Sequence, residues 1–166
     1  MSSVMHGRYT ATHTEPFVVF LIGMRINRWR ALRKWLLTAR AMMPMLQTLQ
    51  QNPEKGFLGG ETFLYWRGIG LFQYWQSCED LERFARSPSE PHIQAWHAFN
   101  RNIGTDGSVG IWHETYMIEP EQYEVVYDNM PVFGLAAATT HVAVNNQRET
   151  ARKRLRKEQQ LTYPHE

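Results

Sequence analysis

Apolar residues first gather at residues 17–25, where FVVFLIGMR is apolar on both alternating faces. That pattern predicts a central strand covered on both sides. Residues 1–14 are polar and without period, and are expected to form a loose arm. After the strand the period changes. Trp29, Leu32, Leu36, Ala39, Met43 and Leu46 recur at helical spacing, and Asn27 stands where an N-cap belongs. A helix is therefore expected to about Gln51, kinked at Pro44, which removes a backbone donor and crowds the Arg40 carbonyl. The turn cluster at 52–56 (NPEKG) precedes two β-rich segments, 61–67 and 69–76. Gly68 and Gly70 mark their junction as a hairpin. Ser77 and Asp80 form a weak capping box for a second helix with Leu81, Phe84 and Ala85 inside and Pro88 at its end. Pro91 suits the first turn of a third helix to about Asn102, and residues 109–118 (VGIWHETYMI) read as a last strong strand.

Strand, helix, strand, strand, helix pair, strand is the split βαβ order of an α+β, ferredoxin-like fold. Right-handed crossovers would put the helices on one face of a four-stranded antiparallel sheet. The other face then needs a cover, and a second copy of the chain is the simplest one, so a homodimer is expected. Beyond residue 120 the chain reads as extended over 123–127, then as a Pro/Gly-marked loop over 129–134, then as charged residues. The expected organisation is an arm (1–15), one domain (16–135) and a charged C-terminal tail (136–166).

Composition sharpens this picture in a few places. Aromatic residues make up 13% of the 166, with six Trp, so flat side chains dominate either the core or a ligand pocket. The one cysteine, Cys78, excludes an intrachain disulfide. It sits near a helix N-terminus but has no basic partner nearby in sequence, so nucleophilic chemistry is not assigned to it. The apolar run at 17–24 is far short of the roughly 20 residues that span a bilayer, and no signal-peptide pattern opens the chain. A cytoplasmic protein without membrane association is expected. Net charge is only +2, with basic clusters at Arg25, Arg28, Arg30, Arg33, Lys34 and at Arg152, Lys153, Arg154, Arg156, Lys157. These read as a solvated helix face and a solvated tail; without a continuous stripe or a known module, no nucleic-acid partner is expected.

Glycine-rich phosphate loops, paired cysteines, HExxH and GxSxG are all missing from the sequence. Histidine, asparagine and aromatics remain, in two places. On the third helix His92, Trp96, Phe99 and Ile103 share a face, Asn100 flanks it, and His97 lies further round. On the last strand His113 alternates with Val109, Ile111, Thr115 and Met117, while Trp112, Glu114 and Tyr116 face the other way. A histidine in an apolar row either hydrogen-bonds a neighbour or serves as a ligand or acid/base group. The strand carrying Gln73, Tyr74, Trp75 and Gln76 holds more polar groups than a purely structural strand needs.

Residues 17–27 (FVVFLIGMRIN), 71–77 (LFQYWQS), 79–84 (EDLERF) and 110–116 (GIWHETY), continued by Asn129-Met130-Pro131 and Phe133-Gly134-Leu135, resemble a monooxygenase-like family. That family, labelled by a fumagillin-pathway polyketide oxygenase, lies within the dimeric α+β barrel superfamily. The resemblance implies a ferredoxin-like subunit, a dimer and oxygen chemistry. The superfamily includes cofactor-free quinone-forming oxygenases, haem-degrading oxygenases, haem-dependent aldoxime dehydratases and chlorite dismutases. Haem-degrading members carry their ligand on the helix before the last strand, which points to His92 or His97. Cofactor-free members use Asn, Trp and Tyr, which points to Asn100, Trp96 and Tyr74.

The function expected is that of a monooxygenase-type oxidoreductase acting on a flat apolar small molecule held between helices and sheet. His113, His92 and Asn100 are the catalytic candidates. His113, His92, Trp96 and Phe99 would hold a cofactor, and Tyr74, Trp112 and Met117 would line the substrate pocket. Haem is the one cofactor expected, with His113 preferred to His92 as iron ligand because a strand fixes its backbone on both sides. The alternatives are a haem or small-molecule binding protein without turnover, and a haem-dependent dehydratase-type lyase.

Overall fold

The computed structural model describes residues 3–87 and 106–155. They form two compact units, one of residues 17–117 and one of residues 1–16 with 118–166.

The first unit is built on a four-stranded antiparallel sheet. β2 (Phe17–Ile26) leads into α1 (Leu32–Gln51), a short 3-10 turn, then the hairpin β3 (Phe57–Tyr65) and β4 (Gly68–Trp75), α2 (Cys78–Arg86) and β5 (Val109–Ile118). Spatial order is β3-β4-β2-β5, the ferredoxin-like arrangement, with β2 and β4 at its centre. Register is continuous from Val18↔Trp75 to Arg25↔Gly68. Because side chains alternate, one face of the sheet carries Val18, Ile22, Met24, Leu71, Trp75 and Val109. These pack with Leu46 and Leu49 of α1 and with Leu81 and Phe84 of α2 into the core. Trp75, at 0% exposure, is at its centre, with its ring against Phe57 and Phe84.

Several local expectations are corrected. α1 starts at Leu32 with Ala31 before it, not at Asn27. Asn27 instead accepts a hydrogen bond from Arg25 Nη1 at 2.9 Å, and its backbone N–H donates to the Ser108 carbonyl. The buried stripe keeps Ala39 and Leu46 and adds Trp35 and Leu49, while Trp29, which lies before the helix, and Leu32 and Leu36 are exposed. Much of the first basic cluster is consequently off the helix: Arg25 lies in β2, and Arg28 and Arg30 lie in the loop before α1. The hairpin turns at Trp66-Arg67, and β3 begins at Phe57, because an irregularity between Phe57 and Gly59 absorbs the glycine pair that reads as a break. Ser77 caps α2 as expected, its side chain accepting from Asp80 N at 3.1 Å. The third helix expected over 91–102 lies outside the described residues.

In the second unit, β1 (Met5–Thr12) is the middle strand of a three-stranded antiparallel sheet, between β6 (Tyr127–Met130) and β7 (Thr140–Ala143). Residues expected as a loose arm are thus a paired strand, and residues 140–143 of the expected tail are its neighbour. Between β6 and β7 the short α3 (Leu135–Ala138) buries Leu135 and Ala136; α4 (Ala151–Arg154) follows β7. Polar cross-links hold this unit. Thr10 Oγ1 donates to the Val125 carbonyl at 2.7 Å, Gly7 N to Asn129 Oδ1 at 3.1 Å, and His13 N to Tyr123 Oη at 2.7 Å. Arg154, at 7% side-chain exposure, pairs with Glu124 and also donates to the carbonyls of Arg148 and Glu149. The second basic cluster is therefore not simply a solvated tail.

Candidate functional site

β5 runs beside β2 at the edge of the four-stranded sheet and carries two nominated rings on opposite faces. His113 belongs to the helix-facing row, where its imidazole lies 5.8 Å from the Phe20 ring at a tilt of 41°. Phe20 packs against the core and is the cross-strand partner of Gln73 on β4. Gln73 is buried, and its side-chain carbonyl accepts a hydrogen bond from Trp75 Nε1 at 2.9 Å. That bond orients the amide and leaves its NH2 as a donor with no acceptor among the described residues. Phe20 thus has an imidazole on one side and a buried amide on the other.

His113 is exposed rather than buried, which corrects the expectation of an enclosed imidazole. The cause is its place on an edge strand: along the same row only Val109 is buried, while Ile111, Thr115 and Met117 are exposed. Met117 shares the row with His113 near the end of β5. Trp112 and Tyr74 are on the other face. There Trp112 Nε1 donates to Tyr65 Oη at 2.9 Å, and Tyr65 Oη donates in turn to the Met24 carbonyl. This chain of bonds crosses the sheet over two glycines. A Cβ at Gly23 would stand 2.8 Å from the Trp112 ring, and one at Gly68 would collide with the Met24 carbonyl. Tyr74 is buried there against Phe17 and Phe72. Two residues along from Trp112, Tyr116 Oη donates to Glu114 Oε2 at 2.5 Å, and that carboxylate pushes the phenol's pKa up. The pocket residues nominated together are therefore split, with His113 and Met117 on one face and Tyr74 and Trp112 on the other. His92, Trp96, Phe99, Asn100 and His97 lie outside the described residues.

Among the described residues no carboxylate or carbonyl meets the His113 imidazole, so the partner that would orient a ligating imidazole through its second nitrogen is not among them. Among the described residues there is also no cluster of three or more His, Cys, Asp or Glu able to hold a metal ion.

A separate cavity of about 260 Å³ lies in the second unit, lined among others by His13, Tyr123, Glu124, Arg148, Lys153 and Arg154. Sequence reading missed it, because its walls come from segments more than a hundred residues apart joined by polar bonds, with no period to reveal them. Gln73, by contrast, carries a readable signal: an amide in a strand otherwise packed into the core.

The chain is 28% identical over 172 aligned residues to "Monooxygenase af470" of Aspergillus fumigatus, an alignment covering 90% of this chain and 59% of that protein. It thus spans less than two thirds of that relative. Among solved structures, an aldoxime dehydratase superposes with a TM-score of 0.64 at 18% identity, over 86% of this chain and 44% of that one. A cofactor-independent oxygenase from Streptomyces nogalater matches with a TM-score of 0.41 at 13% identity, over 60% of this chain and 90% of that one. No described helix is long and apolar enough to cross a membrane. Residues 17–135 match the monooxygenase af470-like family, and the chain belongs to that family.

Proposed function

We propose that the chain is a monooxygenase-type oxidoreductase whose substrate, a flat apolar molecule carrying a hydroxyl or carbonyl, lies against Phe20 between the helices and the sheet. The observation that carries this reading is the grouping of His113 and the buried Gln73 amide about that one ring. Gln73 donates to the substrate oxygen. His113 exchanges the proton of the substrate's acidic group, and its exposure leaves the imidazole in contact with water for proton return. Asn100 and His92, in the segment that precedes β5 in sequence, are assigned to the same pocket, Asn100 as a hydrogen-bond donor to substrate or dioxygen. Trp96 and Phe99 would give it apolar walls. Haem bound by this chain would take its ligand from His92 or His97 rather than His113, and would supply the redox chemistry. A second copy of the chain is assigned to the sheet face that carries Trp112.

The test is oxygen uptake by purified protein with a panel of planar phenols and quinols, with and without supplied haem. Uptake without a Soret band supports the proton-exchanging pocket alone. Uptake only with a band, lost in His92→Ala or His97→Ala, adds haem. The fold shared with an aldoxime dehydratase suits a lyase equally well, so an aldoxime belongs in the panel. Dehydration of it without oxygen uptake, or tight binding with no turnover of any compound, would overturn the oxygenase reading.

A further inference from the structure

One end of the first unit gathers features that the proposed chemistry does not use. Trp66 at the β3–β4 turn is 77% exposed, Leu64 beside it 79%, and Trp29 in the loop before α1 54%. The Arg67 guanidinium ties them together, with its Cζ 5.0 Å from the Trp66 ring centroid and 5.7 Å from that of Trp29. Arg67 is itself fixed, its Nε donating to the Ile26 carbonyl at 2.8 Å and its Nη2 to the Asn27 carbonyl at 2.9 Å. Trp29 is held as well: its carbonyl accepts from Trp35 Nε1, and its ring meets Trp35 edge-on at 6.5 Å. The exposed indoles are therefore presented on a braced turn and loop.

Among the described residues, the charges at this end that lack a counter-charge are all positive. Arg25, Arg28, Arg30 and Arg33 are exposed in the same stretch of chain. None of them, nor Arg67, pairs with a carboxylate among the described residues; Lys34, the other cation here, is neutralised by Asp106 at 2.5 Å. In a chain whose net charge is only +2, this is a local concentration. Tryptophan settles at the headgroup boundary of a bilayer, leucine in the acyl region just below, and unpaired arginine against anionic headgroups.

We propose that this corner, made of Trp29, Leu64, Trp66 and the arginines around them, docks the protein on an anionic membrane surface. Exposed Leu64, two residues before Trp66, and exposed Leu32, three after Trp29, favour lipid over nucleic acid, since bases stack on aromatic rings and gain little from leucine. The docking is peripheral, where the sequence alone suggests no membrane association. It would place a site for a flat apolar substrate beside the phase where such molecules partition.

Flotation of the full chain with phosphatidylcholine–phosphatidylserine vesicles, and separately with pure phosphatidylcholine, tests this. Binding is expected to the mixed vesicles, with a blue shift of tryptophan emission, weakening as salt is raised. Arg28→Gln with Arg30→Gln should lower partitioning about fivefold per charge removed. Trp66→Ala, at an exposed turn where folding is not at stake, should lower it and remove part of the blue shift. No binding to the mixed vesicles, or equal binding to both kinds, overturns the proposal. So does a single-stranded oligonucleotide bound in preference to vesicles and lost in the same variants, or a dimer that Trp66→Ala dissociates.

Discussion

The two units are stabilised in opposite ways. Residues 17–117 close around a continuous apolar cluster running from Val18 and Met24 through Trp75 to Leu49 and Phe84. The unit formed by residues 1–16 and 118–166 buries few apolar side chains, chiefly Ala11, Leu135 and Ala136. It is cross-linked instead by Thr10–Val125, His13–Tyr123 and Arg154–Glu124. Apolar burial is tolerant of detail and summed over many atoms, whereas each polar link depends on two named groups. The first unit should therefore lose most from cavities, and the second from the loss of single partners.

The largest effect is expected from Trp75→Ala. It empties the centre of the core and strands the Gln73 carbonyl, at a cost of about 3–5 kcal/mol. Thermal or denaturant unfolding measures it; a loss under about 1 kcal/mol would mean that the core does not close on Trp75. Next comes Glu124→Gln, which leaves the nearly buried Arg154 guanidinium without its counter-charge, at a cost of about 1–3 kcal/mol. Amide exchange should quicken in β1, β6 and β7 and hold steady in β2 and β4. Ending the chain at residue 147 should do the same, although the sequence alone suggests a solvated, charged tail. Equal acceleration in both sheets would erase the distinction between the units.

That contrast also explains what was legible. The order β2, α1, β3, β4, α2, β5 follows from hydrophobic period alone, and so does the row that puts His113 with Val109 and Ile111. The start of α1 was not legible because Asn27 looks like a cap, while its side chain is engaged by Arg25. The second unit was invisible because its strands are short and polar and pair across more than a hundred residues of sequence. At the site, the residue types were readable and the grouping was not. Alternation along β5 already sets Trp112 opposite His113, but that Tyr74 also lies on the other face shows only in the register of β2 with β4 and in the contact of His113 with Phe20.

A smaller effect is expected from Asp106→Asn. Lys34 beside Asp106 holds its carboxyl well below the usual carboxylate range. The stability it contributes is present above the unfolded value of 3.8 and is lost as pH falls through the lower folded value. The melting temperatures of the native protein and Asp106→Asn should differ slightly at neutral pH and converge in strong acid. A gap that stays constant on acidification would show that the Lys34–Asp106 pair contributes nothing.

The most direct test of the proposed site is the turnover of His113→Ala beside Trp112→Phe, which changes the opposite face of the same strand. His113 is exposed, so its removal should leave the melting temperature within about a degree or two while oxygen uptake falls about a hundredfold or more. Trp112→Phe, which loses the bond to Tyr65, should instead lower stability by about 1 kcal/mol and leave turnover within a few-fold of the native rate. Full activity in His113→Ala, or its loss in Trp112→Phe alone, would contradict a site on the helix-facing side of the sheet.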